Sequence, residues 1–173
     1  IDSLFTSLYP ADEPGAAVII VKNDSIVYNK GFGKARMDTN EPIQGNTFFN
    51  IASVSKQFSA AALFMLAEEG KLSLDDPVSK YFPEYKAEFF KKITLRHLLS
   101  HTSGIPDDRD RSSRDFVLTA NDEESAGYLA ELDKLNFEPG TQYEYMNPTF
   151  QIMLWIIEQA SGEKFDDFMR NHI

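Results

Sequence analysis

Ser53-Val54-Ser55-Lys56 runs directly into Gln57-Phe58-Ser59-Ala60-Ala61-Ala62-Leu63-Phe64-Met65-Leu66, so a Ser-x-x-Lys quartet stands where an irregular segment turns into an apolar helix. Residues three apart share a helix face, so the hydroxyl of Ser53 and the amine of Lys56 are aimed at one point from the first turn. Apolar residues cover most of this helix's circumference, which predicts a buried central helix ending at a Gly70 C-cap. The quartet alone has little specificity. With 14 Ser and 11 Lys in 173 residues, chance supplies roughly one such match. A second copy, Ser161-Gly162-Glu163-Lys164, follows a helical pattern instead of opening one and carries no catalytic weight.

On the N-terminal side, Ile1, Leu4, Phe5 and Leu8 repeat with helical spacing, and Pro10 and Pro14 close that helix. Ala16 to Val21 and Ile26 to Phe32 are rich in β-branched and aromatic residues. With turn residues at 22–25 between them they predict a β-hairpin, broken at Gly31 and Gly33. On the C-terminal side, Leu72 to Tyr85 reads as loop, and Thr94 can cap a short helix through Leu99. Asp107 to Arg114 reads as a solvated loop of mixed charge, and Asp122 to Leu132 as an acidic surface helix. Asn147-Pro148 opens a helix through Ile156 to Gly162, and a last helix carries Phe165, Phe168 and Met169. One hairpin is marginal by itself. The expectation is a piece of a larger fold, its further strands supplied C-terminally or by a second chain.

The length suits one ordinary core. A net charge of −10 and a pI near 4.7 argue against nucleic acid and anionic membrane surfaces as partners. Without cysteine there is no disulfide framework, thiolate nucleophile or cysteine-rich zinc site. No apolar run approaches the ~20 residues that cross a bilayer. The sequence has neither an initiator Met nor a leader, and is read as that of an exported protein whose targeting segment has been removed, a cytoplasmic location being the alternative. His97 and His101 stand four apart, but Leu98 occupies the position where a metallopeptidase helix carries Glu. Asp107, Asp108 and Asp110 lack the central Gly of a calcium loop. No metal or cofactor is expected.

Three motifs stand in order along the chain: Ser53-Val54-Ser55-Lys56, Leu98-Leu99-Ser100-His101-Thr102-Ser103-Gly104 and Tyr145-Met146-Asn147. Together with Gly70-Lys71-Leu72-Ser73-Leu74-Asp75-Asp76-Pro77-Val78 and Pro139-Gly140, they make the sequence resemble the serine β-lactamase and penicillin-binding-protein superfamily. The best match is its class C-like branch, with D-alanyl-D-alanine carboxypeptidases and family VIII esterases. The resemblance implies an α/β sandwich domain beside an all-helical domain with the active site between them. Here residues 1–72 would be the N-terminal part of the sandwich and 73–173 a truncated helical domain. It also implies a third motif, Lys- or His-x-Gly, on a later edge strand. No such motif follows Tyr145-Met146-Asn147, so this segment alone is expected to be catalytically incomplete.

Carried over residue by residue, the resemblance makes Ser53 the nucleophile, Lys56 and Tyr145 the groups that move its proton, and Asn147 the side chain that orients Lys56 and meets the substrate carbonyl. Which of Lys56 and Tyr145 is the base stays open. Each has a plainer alternative. Ser53 can cap its helix, and Lys56 can be a solvated surface amine. Tyr145 can pack under a loop, and Asn147 followed by Pro148 is a good helix start by itself. Ala52, Val54 and Phe58 suggest apolar surroundings for Lys56. The implied activity is serine hydrolysis through an acyl-enzyme on a β-lactam, a D-Ala-D-Ala peptide or a small ester. The alternatives are a penicillin- or peptide-binding sensor without turnover, and an inactive fragment that needs a second chain.

Overall fold

The computed structural model describes residues 1–107 and 122–173, and its backbone divides into two compact units, Ile1–Ile51 and Ala52–Ile173. The division expected at residue 72 concerns the family's domain architecture and stays a proposal.

In the first unit, helix α1 (Asp2–Leu8) precedes an antiparallel hairpin of β1 (Ala16–Lys22) and β2 (Ser25–Phe32). Its turn is closed by Asn23 and Asp24, both with left-handed backbone (φ 49° and 57°). Two consecutive left-handed residues are what a tight hairpin with right-twisted strands needs, and Asn and Asp tolerate that region best after Gly. The strand continues through Gly31, paired with Ala17, and breaks only at Gly33, where φ is +69°. The expected break at Gly31 is therefore corrected. A second small ladder, β3 (Lys34–Arg36) with β4 (Glu41–Pro42), was not foreseen, because strands of three and two residues are too short to carry an alternating pattern. Phe5 of α1 stacks on Phe32 at 5.4 Å, and Asp2 accepts from Tyr28 and from Lys30 Nζ (2.7 Å). Ile19, Val21, Ile26 and Val27 of the hairpin are each more than half exposed.

The second unit holds the core. Chain order is a 3₁₀ turn (Ala52–Ser55), α2 (Lys56–Glu68), α3 (Leu95–Leu99), α4 (Asp122–Ala130), α5 (Pro148–Gln151), α6 (Met153–Ser161) and α7 (Phe165–His172). Helix α2 buries Ala62, Leu63 and Leu66 against Ile152, Met153, Ile156, Ile157 and Phe168. It is not buried all round, as its composition suggested: Phe58 is 39% and Phe64 52% exposed. The stretch 72–85, expected as loop, carries a 3₁₀ turn (Val78–Lys80) and supplies Leu72, Val78, Tyr81, Phe82 and Tyr85 to the core. Asp76 pins it, accepting from Ser73 N, Lys80 Nζ and Tyr81 OH. Thr94 caps α3 in a reciprocal box with His97, so that histidine's ring is used locally. Gly162 closes α6 in the left-handed region, and there Ser161 Oγ bonds the Glu163 backbone while Lys164 reaches Glu158. The second Ser-x-x-Lys is thus a helix end.

Candidate active site

Every side chain of the candidate site belongs to the unit Ala52–Ile173. Ser53 lies in the 3₁₀ turn and Lys56 is the first residue of α2. Across the junction of the turn and α2, residues three apart share a face, so the amine reaches the hydroxyl. Lys56 Nζ donates to Ser53 Oγ at 3.0 Å. Ala52, just before the nucleophile candidate, has φ +46°, a conformation that costs a non-glycine residue about 1–2 kcal/mol. This strain was invisible in the sequence, since nothing in the residue type announces it.

Tyr145 arrives from 92 residues away and donates its phenolic hydrogen to Ser53 Oγ at 2.6 Å. Tyr143, the neighbouring alternative, is 69% exposed and meets the edge of the His101 ring. Lys56 Nζ also donates to Asn147 Oδ1 at 2.9 Å and sits over the rings of Tyr145 (5.0 Å) and Phe150 (5.4 Å). Its expected apolar neighbours do not provide that shelter: Val54 is 56% and Phe58 39% exposed. Its neighbours on that side are the two aromatic faces.

Asn147 stands at the N-cap of α5, but its side chain makes no cap bond. The amide is committed to Lys56 on one side and on the other to Asp107, whose Oδ2 accepts from Asn147 Nδ2 (3.2 Å) and Asn147 N (3.3 Å). The helix start is secured by Pro148 instead. Asp107 itself was expected to be solvated and is 4% exposed. A carboxylate is buried only where donors meet it, and here Asn147 supplies two. Asp108, Asp110 and the rest of the expected loop through Arg114 lie outside the described residues.

What holds Tyr145 in place is the segment 101–104. Glu144 N donates to His101 O, Gly140 N to Thr102 O and Asn136 N to Gly104 O. Gly104 has φ +75°, and a Cβ there would lie 2.1 Å from Phe137 O. Gly104→Ala is expected to lower stability by at least about 1–3 kcal/mol from backbone strain alone. Denaturant melting checks this, and a change under ~0.5 kcal/mol, the range of an unremarkable surface substitution, would contradict the packing described.

The His101 ring lies 4.6 Å from that of Tyr145 and 5.2 Å from that of Phe150. Met146 N donates to Nδ1 at 3.4 Å, so the ring is the neutral tautomer with its hydrogen on Nε2. Burial, and secondarily the positive Lys56, hold the His101 pKa below the ordinary imidazole value. The unfolded chain therefore binds more protons just below pH ~6.5, and stability carried by neutral His101 is complete above that pH and lost as pH falls from there through the folded value. His101→Gln removes this component. Its stability relative to the parent should rise on acidification below about pH 6.5 and stay level above it. Thermal melts across that range, with an unchanging difference, would refute the assignment.

Among the described residues no group of three or more His, Asp or Glu side chains could hold a metal ion, and no helix is long and apolar enough to cross a membrane. The family model for beta-lactamase matches residues 3–173. Protein flp of Staphylococcus aureus strain MW2 is 34% identical over 163 residues, covering 92% of this chain and 32% of that protein. The octameric penicillin-binding protein homologue from Pyrococcus abyssi superposes with a TM-score of 0.79 at 31% identity, over 91% of this chain and 37% of the other. D-alanine carboxypeptidase AmpC from Burkholderia cenocepacia does so with 0.75 at 29% identity, over 99% and 44%. The chain spans about a third of the length of the curated relatives it matches. With the fold and the ordered motifs in agreement, the chain belongs to the β-lactamase family, within the superfamily of serine β-lactamases and penicillin-binding proteins.

Proposed function

We propose that the full-length protein is a serine hydrolase that attacks an amide or ester carbonyl through Ser53 and passes through an acyl-enzyme. The observation that carries this reading is the convergence of two donors, Tyr145 OH and Lys56 Nζ, on the one oxygen Ser53 Oγ. A serine hydroxyl is a weak nucleophile until a neighbour takes its proton. For attack, the trio must begin one proton short, with either the Lys56 amine neutral or the Tyr145 phenol ionised; that group accepts the Ser53 proton as Oγ bonds the carbonyl carbon. The same proton is then delivered to the leaving nitrogen or oxygen as its bond to the carbonyl carbon breaks. Water repeats the sequence in reverse order to free the acid and restore Ser53. Asn147 steadies the amine and offers an amide N–H to the substrate, and the Ser53 backbone N–H is one donor to the developing oxyanion.

D-alanine carboxypeptidase AmpC and D-amino acid amidase are names of structural neighbours, and they favour a substrate with a D-amino acid beside the scissile bond. A β-lactam or a small ester fits the same chemistry. Export from the cytoplasm suits such substrates. The exposed faces of the hairpin suit further strands, from a longer polypeptide or a second chain. Intact-mass measurement after mixing with a penicillin and with an ester probe tests the activity. A transient adduct that clears with turnover is expected. A permanent adduct instead favours the sensor, which keeps Ser53 but not deacylation, and no adduct from either probe refutes both readings.

A further inference from the structure

Asn147 lies between two side chains of opposite hydrogen-bonding character. A carboxylate that is ionised can only accept, and an amine that is protonated can only donate. The amide therefore has one orientation that satisfies both: Nδ2 toward Asp107 Oδ2 (3.2 Å) and Oδ1 toward Lys56 Nζ (2.9 Å). Turning it over would set oxygen against oxygen and nitrogen against nitrogen, losing two charge-assisted bonds at once. The same carboxylate oxygen accepts from Asn147 N, which ties the backbone to the clamp as well. Asp107 is 4% exposed, so little water competes for these bonds.

We propose that Asp107 is a positioning residue whose buried carboxylate locks the Asn147 amide with its oxygen on Lys56 and one N–H left over for the substrate. The inference rests on the acyl-transfer reading of Ser53, Lys56 and Tyr145, and goes beyond it by assigning a residue outside the three motifs. Asp107 does not touch the reacting atoms. It acts through Asn147, which sets where the amine stands over Ser53 Oγ. An amide has two N–H bonds, and the carboxylate takes one, so the other keeps a fixed direction. That pre-set donor spares the substrate complex the ordering of a free amide.

The test is a double-mutant cycle in the full-length protein, reading the second-order rate of acylation by a fluorescent penicillin. Asp107→Ala should slow acylation roughly 10–100-fold, the scale of a hydrogen bond to a buried charge. Asp107→Asn can still present an oxygen to the amide and should return to within about fivefold of the parent. In an Asn147→Ala background, Asp107→Ala should change the rate by less than about twofold, because the partner it acts through is gone. A loss of equal size in both backgrounds, or no loss from Asp107→Ala in a folded protein, overturns the proposal. Should Asp107→Ala fail to fold, the parent protein still decides. The Asn147 side-chain amide, identified in ¹⁵N-edited NMR spectra by its absence in Asn147→Ala, should show the proton that faces Asp107 exchanging with solvent markedly more slowly than the amide protons of an exposed Asn. Exchange as fast as that of an exposed Asn amide overturns the clamp. A parent that is never acylated sinks the functional reading but leaves this spectrum as a test of the clamp.

Discussion

Ser53→Ala in the full-length protein is expected to abolish covalent labelling by penicillin and ester probes and to lower turnover by about a million-fold, the scale at which removal of a serine nucleophile acts in enzymes whose other groups remain. The change deletes one oxygen that accepts from Lys56 (3.0 Å) and Tyr145 (2.6 Å). Ser53 is exposed and its side chain does not support the core, so the melting temperature should hold or change little. Steady-state hydrolysis and intact mass measure the effect. Activity within about tenfold of the parent would mean another nucleophile, and Ser55, two residues on, is the first to examine.

Tyr145→Phe carries the second large effect. The ring remains, with its face toward Lys56 and its contact with His101, while the 2.6 Å donor to Ser53 is lost. General acid–base groups contribute roughly 100- to 10,000-fold, and a fall in kcat/KM of that size is expected. The loss should fall mainly on kcat, because the phenol acts on the proton in flight rather than on bound substrate. Tyr143→Phe is the internal comparison; at 69% exposure it should leave the rate within about twofold. Equal losses from the two substitutions would remove Tyr145 from the mechanism.

The lysine and serine were legible because their relation is local. Three residues of spacing at a helix start fix the pair whatever the rest of the chain does, and the 3.0 Å contact follows from that spacing. Tyr145 was legible only through resemblance, since no local rule links a tyrosine to a serine 92 residues earlier. The hairpin was read correctly from its β-branched strands and its Asn-Asp turn, whereas β3 and β4 were too short to leave a pattern. Asp107 was misread for a physical reason. Its neighbours in sequence are charged, and composition alone assigns such a run to water. Two donors that meet it come from Asn147, forty residues away, which a single sequence does not pair. Asn147 was given a double role, as helix cap and as active-site amide. Its side chain makes no cap bond and is spent on Lys56 and Asp107, while Pro148 sets the helix start.

The most direct measurement is fragmentation of the acylated protein, trapped within seconds of adding a β-lactam and digested, to locate the added mass. The hydroxyl on which phenol and amine converge should carry it, so the probe must map to Ser53 in the segment Ala52–Lys56, with Lys56 itself unmodified. An adduct found instead on Ser55, on Ser161 or on any lysine would contradict the account.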